Sequence, residues 1–185
     1  PEANFTHISS CLGKSTVFKD SSIAGTAPIN MWKWNFDDGD SSFAQNPTHI
    51  YSNSGLFNPE LSVTNAKGCK DSITKPVEVY PLPNVKFNHD SVICVNDSTT
   101  ITNNTTGANS YSWTLGNGVT LNQQNPIISY NSPGYYDIKL VASTSHGCID
   151  SLSSTIRVVE SPDANYTAIP DSGCAPLKVL FQNQS

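Results

Sequence analysis

The sequence is poor in charge and has no long apolar run. Charged residues make up 14% of the 185 positions, and the formal net charge is −5. Lysine and arginine are not clustered, so the chain lacks the basic surface that displaces counterions from a nucleic-acid backbone. No uninterrupted apolar stretch reaches the roughly eighteen residues of a membrane-spanning helix. We therefore expect neither nucleic acid as a partner nor insertion into a membrane.

The sequence also lacks a sustained helical period. Apolar and polar residues alternate over short stretches instead, and twelve prolines and eleven glycines separate those stretches. Alternation of this kind is typical of strands with one buried face, and proline and glycine are typical of the turns between them. The composition therefore predicts many short strands and almost no helix.

The most distinctive stretch covers residues 32–40 and reads WKWNFDDGD. Trp32, Trp34 and Phe36 alternate with polar residues, so one face of a strand would carry three large rings. Asp38-Gly39 then gives a strong hairpin signal, because glycine accepts the positive φ that a tight turn requires. We expect a buried strand that ends in a tight turn.

A similar stretch, YSWTLGNG, returns 79 residues later at 111–118. The same spacing separates Gly68-Cys69 from Gly147-Cys148. These two coincidences indicate a repeated β domain. The predicted division of the chain is 1–80, 81–160 and, as the N-terminal part of a third, truncated domain, 161–185.

Each repeat predicts an all-β, immunoglobulin-like sandwich, because about seven short strands surround one buried tryptophan. The links between repeats are short and contain proline, at 80–83 and 160–162. Fixed φ angles in so few free residues predict semi-rigid joints. Tandem sandwiches on such joints would form a stiff rod.

The five cysteines become informative once the repeat is recognised. Cys11 and Cys69 occupy the positions that Cys94 and Cys148 occupy in the second repeat, and Cys174 matches Cys11 in the third. We predict the disulfides Cys11–Cys69 and Cys94–Cys148, each stabilising its domain by about 4 kcal/mol. Such bonds indicate an oxidising compartment outside the cytosol. Metal ligation is the alternative, although no second cysteine or histidine lies at ligand spacing.

Three motifs follow one another in the first repeat: WNFDDG at 34–39, NPTHIY at 46–51 and LSVTN at 61–65. In this order they resemble the PKD (polycystic-kidney-disease) domain family. The second repeat keeps Trp113 and Tyr130 but has no acidic residue in the turn that follows its tryptophan strand. The resemblance implies tandem PKD sandwiches, a fold that hosts many roles.

The cysteine pairs and the Pro-x-Pro joints resemble the arrays in very large surface adhesins of gliding bacteria, which are exported by type IX secretion. This resemblance implies a non-enzymatic, extracellular segment of a cell-surface filament, which acts as a stiff spacer and takes part in adhesion or gliding. Its expected partners are neighbouring repeats, a surface glycan or protein ligand, and secretion or motility machinery. The alternatives are a substrate-binding accessory module of a secreted polysaccharide- or protein-degrading enzyme, and an exported cargo captured by secretion machinery.

Asp37, Asp38 and Asp40 place three carboxylates within four residues. Hard oxygen ligands of this kind suit calcium, and some PKD domains of secreted enzymes carry calcium nearby. Turn formation at Asp38-Gly39 is the alternative explanation. The second repeat lacks these acids, so the fold itself does not require calcium, and we predict no other cofactor.

Three aromatic residues are candidates for contact with a ligand. Tyr51 and Tyr130 are predicted to be buried, with each hydroxyl bonded to a turn backbone, and stacking on a carbohydrate is the alternative. Trp32 lies toward the strand edge and is matched by Tyr111 rather than by a second tryptophan. We therefore predict Trp32 as a partly exposed contact for a glycan or protein.

Asp-Ser/Thr-apolar triplets resemble the O-glycosylation acceptor of proteins exported by gliding bacteria, although they also arise by chance. They place acceptor hydroxyls at Ser72, Ser91, Ser98 and Ser151. The four histidines are scattered, and no nucleophile–base pair can be assembled from their spacing. We therefore predict no catalytic residues and no enzymatic activity.

Overall fold

The computed structural model describes all 185 residues, and every regular element in it is a β-strand. This confirms the all-β prediction and the near absence of helix. Nothing helical in the fold has the length and hydrophobicity that crossing a bilayer takes. The chain divides into two compact units, the first made of Pro1–Lys86, Thr105–Ser112 and Leu140–Leu152, the second of Phe87–Asn104, Trp113–Lys139 and Ser153–Ser185.

Ten strands lie in the first 80 residues and form three sheets. The sheets have the strand orders β1-β3-β6, β2-β10-β7 and β5-β4-β8-β9. The strands are β1 (Phe5–Ile8), β2 (Ser10–Cys11), β3 (Ser15–Asp20), β4 (Ile29–Asn35), β5 (Ser41–Ser42), β6 (Thr48–Ile50), β7 (Gly55–Phe57), β8 (Glu60–Asn65), β9 (Lys70–Thr74) and β10 (Val77–Tyr80).

Alternation of apolar and polar residues places these strands around one core. In β8, every second residue from Leu61 onward is buried, as a strand with one face on the core requires. The indole of Trp34 is completely buried. Its ring centroid lies 5.1 Å from that of Phe5 and 5.4 Å from that of Phe18. The predicted buried tryptophan strand is therefore confirmed in the first repeat.

Eleven further strands follow. The sheets that they form have the orders β11-β14, β12-β19-β18-β15-β16, β13-β17 and β20-β21. The strands are β11 (Phe87–Asn88), β12 (Val92–Cys94), β13 (Ser98–Thr100), β14 (Thr102–Asn103), β15 (Ser110–Thr114), β16 (Thr120–Leu121), β17 (Ile127–Ser129), β18 (Gly134–Ser143), β19 (Ile149–Val159), β20 (Tyr166–Ile169) and β21 (Leu180–Asn183).

The second tryptophan is held in the same way as the first. Trp113 is completely buried, and its ring meets that of Phe87 edge-on at 5.1 Å. Its Nε1 donates to the carbonyl of Gln123 at 2.9 Å, as Trp34 Nε1 donates to Ala44 at 2.9 Å. The two repeats therefore share one architecture around their tryptophans.

The last strands, β20 and β21, pair antiparallel and leave large apolar side chains in solvent. Tyr166 is 64% exposed and Phe181 is 71% exposed, although their rings lie 5.5 Å apart. An isolated two-stranded ribbon is marginal in water. The boundaries at residues 80 and 160, and the reading of 161–185 as part of a third domain, stay predictions.

Candidate functional site

The structure contains one disulfide, between Cys11 and Cys148, whose Cα atoms lie 5.5 Å apart. Cys69 and Cys94 are free thiols, as is Cys174. The presence of a disulfide is as expected, but the predicted pairs Cys11–Cys69 and Cys94–Cys148 are wrong. The bond instead joins a cysteine of the first repeat to one of the second.

Strand direction explains the correction. Cys11 pairs with Tyr80, the last residue of β10, whereas Cys69 immediately precedes β9. In the second repeat, Cys94 pairs with the last residue of β19, and Cys148 immediately precedes the first. The eleven residues of β19 span about 36 Å, while a disulfide requires Cα atoms within about 7 Å. The two cysteines of the second repeat are therefore too far apart to bond. In the first repeat, Cys11 is bonded to Cys148, and Cys69 remains a free thiol.

The disulfide lies in a small cluster that we call the cysteine joint: Cys11, Tyr80, His146 and Cys148. The rings of Tyr80 and His146 stack at 3.9 Å between centroids, with 9° between their planes. Cys148 Sγ lies 4.0 Å from the Tyr80 carbonyl oxygen, which also accepts a hydrogen bond of 2.8 Å from the Leu12 amide. Cys148 is only 1% exposed. The covalent bond is therefore supported by ring stacking and by burial.

The chain that leaves the joint is also tied down. Asn84 follows the proline-bearing link 80–83, and its amide donates to the carbonyl of Thr106 at 3.0 Å. The Thr106 amide returns a hydrogen bond of 3.1 Å to the carbonyl of Asn84. This pair of bonds forms an isolated antiparallel bridge. The link is thus held at both of its ends.

Of the three carboxylates predicted to bind calcium, those of Asp37 and Asp38 have different partners. Asp37 accepts from the Asn58 amide at 2.8 Å, and Asp38 Oδ2 lies 2.6 Å from His49 Nε2. The other oxygen of Asp38 accepts from the Asp40 amide at 3.1 Å. One ligand atom each from Asp38, Asp40 and His49 lies within 4.8 Å of the others.

An imidazole beside two carboxylates suits a transition metal better than calcium, which prefers oxygen alone. The same groups also have a structural use, because they fasten the turn that ends β4 to strand β6. The His49 ring stacks on Phe36 at 4.2 Å with 2° between the planes. Calcium at Asp37, Asp38 and Asp40 stays a prediction.

Tyr51 and Tyr130 are buried, and each hydroxyl donates to a backbone carbonyl. Tyr51 bonds to Phe36 at 3.2 Å and Tyr130 to Leu115 at 3.0 Å, as predicted. Burial, with the charges of two nearby carboxylates, raises the pKa of Tyr51 well above its usual value. Burial, with a smaller effect of a neighbouring phenol, raises the pKa of Tyr130 to about 12. Both rings are therefore structural in the fold.

Trp32 is half-buried and packs against the core of the first repeat. Its Nε1 donates to Asp20 Oδ2 at 2.7 Å. Burial raises the pKa of Asp20, but hydrogen bonds from Ser22, Gln45 and Trp32 outweigh it and lower the pKa below the usual value. The polar edge of the indole is already in use, and its role as a ligand contact stays a prediction.

All four serines predicted as O-glycosylation acceptors are exposed: Ser72, Ser91, Ser98 and Ser151. Ser72 lies on β9, an outer strand of its sheet. A glycosyltransferase could reach each hydroxyl without unfolding the chain. Their modification stays a prediction.

The contact between His89 and Ser154 could not be predicted from their spacing in the sequence. His89 Nδ1 lies 2.6 Å from the carbonyl oxygen of Asp90, so Nδ1 carries a proton, and Nε2 lies 2.9 Å from the Ser154 hydroxyl. The partners are 65 residues apart, and only sheet topology brings them together. The contact ties β19 to the loop before β12.

The PKD domain family model matches residues 1–80 and 81–159. The chain is 28% identical over 79 residues to Collagenase ColA of Bacillus cereus, covering 42% of this chain and 8% of the collagenase. It is 30% identical over 137 residues to an uncharacterized 81.3 kDa protein of Acholeplasma phage L2, covering 70% of this chain and 19% of that protein. The PKD1 domain of the Vibrio cholerae metalloprotease PrtV has a TM-score of 0.41 and 28% identity, covering 43% of this chain and 96% of that domain.

The chain thus spans less than a fifth of the length of each curated relative named above. PKD domains are typically non-catalytic modules and occur in secreted or extracellular proteins. Two successive family matches cover all but the last part of the chain, and each contains one of the two buried tryptophans. The chain therefore belongs to the PKD domain family.

Proposed function

We propose that the chain is a non-enzymatic, extracellular repeat segment of a larger cell-surface adhesin or filament, in which it acts as a stiff spacer. The observation that carries this proposal is the Cys11–Cys148 disulfide, which links the two PKD matches covalently. Export by the type IX route and a part in adhesion or gliding belong to the same proposal. Its proposed partners are neighbouring repeats, a surface ligand and the motility machinery.

The position of the bond suits a segment that carries tension. Cys11 lies in the first repeat, and its partner follows 137 positions later in the second. A force applied to the two chain ends passes through the sulfur–sulfur bond, because that route is far shorter than the backbone between the cysteines. Both buried tryptophan strands lie inside the closed loop and are shielded from the applied force.

The bond also supports the proposed location. Disulfides persist in oxidising environments and are reduced in the cytosol. A spacer outside the cell would keep the Cys11–Cys148 bond, whereas a cytosolic one would lose the shielding that the bond provides.

Single-molecule stretching of the full chain, held by its two ends, tests the spacer proposal. The 137 residues of the closed loop would add about 450 Å of extended chain once the bond is reduced. We expect this additional length with reductant, or without reductant in Cys148→Ser, and not in the oxidised chain. Cys69→Ser is the matched control and should extend as the unmodified chain does. Equal lengths with and without reductant would contradict the proposal.

A second candidate function is a substrate-binding accessory module of a secreted degrading enzyme. The similarity to a short part of Collagenase ColA and to a PKD domain of a metalloprotease favours it. This function requires a binding surface, and Trp32 is the aromatic contact predicted for it.

The second candidate is tested by binding of the full chain to an array of collagen peptides and polysaccharides. An accessory module should bind saturably and lose at least about tenfold in affinity on Trp32→Ala, since a stacking indole carries much of such an interface. Met31→Ala, at an exposed neighbouring position, is the matched control. Absence of saturable binding, or equal losses in the two variants, would contradict the accessory-module function.

A further inference from the structure

We infer that Cys69 and Cys94 each form a further inter-repeat disulfide. In each bond the partner is a cysteine of another repeat of this kind. Both cysteines are free thiols in the structure. These bonds would give each of the two side chains a partner and would give the assembly a direction. Each free cysteine has the backbone setting of the bonded cysteine at the matching position.

Cys69 has the backbone setting of the bonded Cys148. The carbonyl of Cys69 accepts from the Asn65 amide at 3.0 Å, and that of Cys148 accepts from the Thr144 amide at 2.9 Å. Each cysteine amide donates to the side-chain oxygen of the same residue, at 3.0 and 3.1 Å respectively. The glycine before each cysteine closes the turn with a bond to that residue's carbonyl. Asn65 and Thr144 are different residues, but they hold the turn before the cysteine in the same geometry.

Cys94 has the backbone setting of the bonded Cys11. Each ends a short strand that runs parallel to a neighbour, with Cys11 beside Tyr80 and Cys94 beside Val159. In both places the next residue donates its amide to the neighbour's carbonyl, at 2.8 Å after Cys11 and 2.9 Å after Cys94. In both places the cysteine carbonyl accepts from the residue three positions later.

The two free thiols are also accessible. Cys69 is exposed and Cys94 is partly exposed, whereas the bonded Cys148 is 1% exposed. Nothing in the fold has to open before either sulfur meets a partner. Each free cysteine is therefore in place for the bond that its counterpart already makes.

The existing bond indicates which two kinds of cysteine would pair in any further bond. It joins a strand-end cysteine, Cys11, to a turn cysteine, Cys148. By the same rule, Cys94 bonds to the turn cysteine of another repeat, and Cys69 bonds to the strand-end cysteine of another repeat. Two copies of the chain would thus join through Cys94 of one and Cys69 of the other. Such a head-to-tail contact leaves one thiol of each type free and permits an open series.

Bond formation is an oxidation and needs an acceptor for two electrons. A low-molecular-weight disulfide of the glutathione type supplies it by exchange. One protein thiolate attacks the reagent and releases one glutathione thiol, and the second protein thiolate then attacks the mixed disulfide and releases the other. The two protons lost by the cysteines are balanced by those on the two released thiols.

The inference is tested with the full chain in the Cys174→Ser background, which removes the remaining exposed thiol. Cys69→Ser keeps only the strand-end thiol, and Cys94→Ser keeps only the turn thiol. The two variants, one isotopically labelled, are mixed in equal amounts in a glutathione redox buffer. Peptide mapping of each variant verifies that Cys11–Cys148 is intact.

We expect the Cys94–Cys69 heterodimer to exceed either homodimer by about tenfold or more, because only that combination brings together the two kinds of surface found at the existing joint. Random pairing would give the heterodimer at twice the level of each homodimer, and that ratio would overturn the inference. A map that shows Cys11 bonded to Cys69 would also overturn it. The stretching experiment reports on Cys11–Cys148 alone, so failure of one proposal can be told from failure of the other.

Discussion

At the scale of single residues, two phenols hold the turns that follow the tryptophan strands. The hydroxyls of Tyr51 and Tyr130 donate to carbonyls fifteen residues earlier in the chain, and water is excluded from both contacts. A phenolate could not donate that hydrogen bond and would be poorly solvated at either buried position. The fold therefore favours the neutral form of each tyrosine. As a result, the stability of the fold is sensitive to alkaline pH.

Alkaline pH is expected to destabilise the second unit through Tyr130. Its pKa is raised to about 12 in the fold from an ordinary value of 10.0, so the stabilisation is fully present below pH 10. It falls as the pH rises, because the unfolded chain loses the phenolic proton first, and it is exhausted above the folded pKa. Urea unfolding of the full chain between pH 9 and about 12 measures this change.

Tyr130→Phe provides the control. At pH 8 it should lower the free energy of unfolding by about 1 kcal/mol through the lost hydrogen bond. Above pH 10 it should lose less stability than the unmodified chain, since it has no phenol to ionise at this position. An identical pH dependence in both proteins would contradict the assigned role of burial.

Sequence alone predicted these tyrosines but not the partners of the acidic turn. A buried tyrosine with a bonded hydroxyl follows from its place in a repeated motif, which is local information. The approach of His49 to Asp38 depends on how β6 packs beside the turn, and the contact between His89 and Ser154 depends on a strand that begins 60 residues later. Tertiary contacts of this kind leave no signal in spacing.

At the scale of elements, the turns after β4 and β15 show how one backbone conformation accommodates different residues. Asp37 has φ of 67°, and Gly116, at the matching position, has φ of 74°. In the first repeat, the carboxylate of Asp37 accepts a hydrogen bond from the Asn58 amide. In the second, a side chain on Gly116 would lie 2.8 Å from the Asp137 amide nitrogen. The glycine is therefore required by close approach as well as by φ.

Gly116→Ala should destabilise the second unit by about 2 to 4 kcal/mol, because it adds a backbone clash to the strain of a positive φ. Gly118→Ala is the matched control: its φ is 87°, but no atom lies within 4 Å of the added carbon. That variant should lose only about 1 kcal/mol. Urea unfolding of both variants gives the comparison, and equal losses would show that the close approach to Asp137 has no effect.

The strands could be predicted from the sequence because the alternation of apolar and polar residues is a local property. The runs around Trp34 and Trp113 place every second side chain on one face, and both tryptophans are buried as this pattern predicts. Strand direction relative to a neighbour is not local. The parallel pairing of β2 with β10 could not be predicted from alternation, and it decides where Cys11 lies.

At the scale of the whole molecule, the cysteines show the limit of reasoning from spacing. A repeated pair of cysteines looks the same whether each bond closes one repeat or joins two. Loop length favoured neither arrangement strongly, because loop-closure entropy changes slowly with length. The structure decides between them through the strand ends, which separate the cysteines of one repeat and bring those of successive repeats together.

The Cys11–Cys148 bond has a further consequence for the integrity of the chain outside a cell. A protease that cuts one peptide bond anywhere between these cysteines produces two pieces that remain covalently attached through sulfur. Cys94 lies between Cys11 and Cys148 in the sequence. A loop closed by a bond from Cys94 to another repeat would therefore overlap the first loop along the chain rather than follow it. A series of overlapping loops survives a single backbone cut at most positions, so a surface segment built in this way would tolerate enzymatic nicking without shedding its distal end.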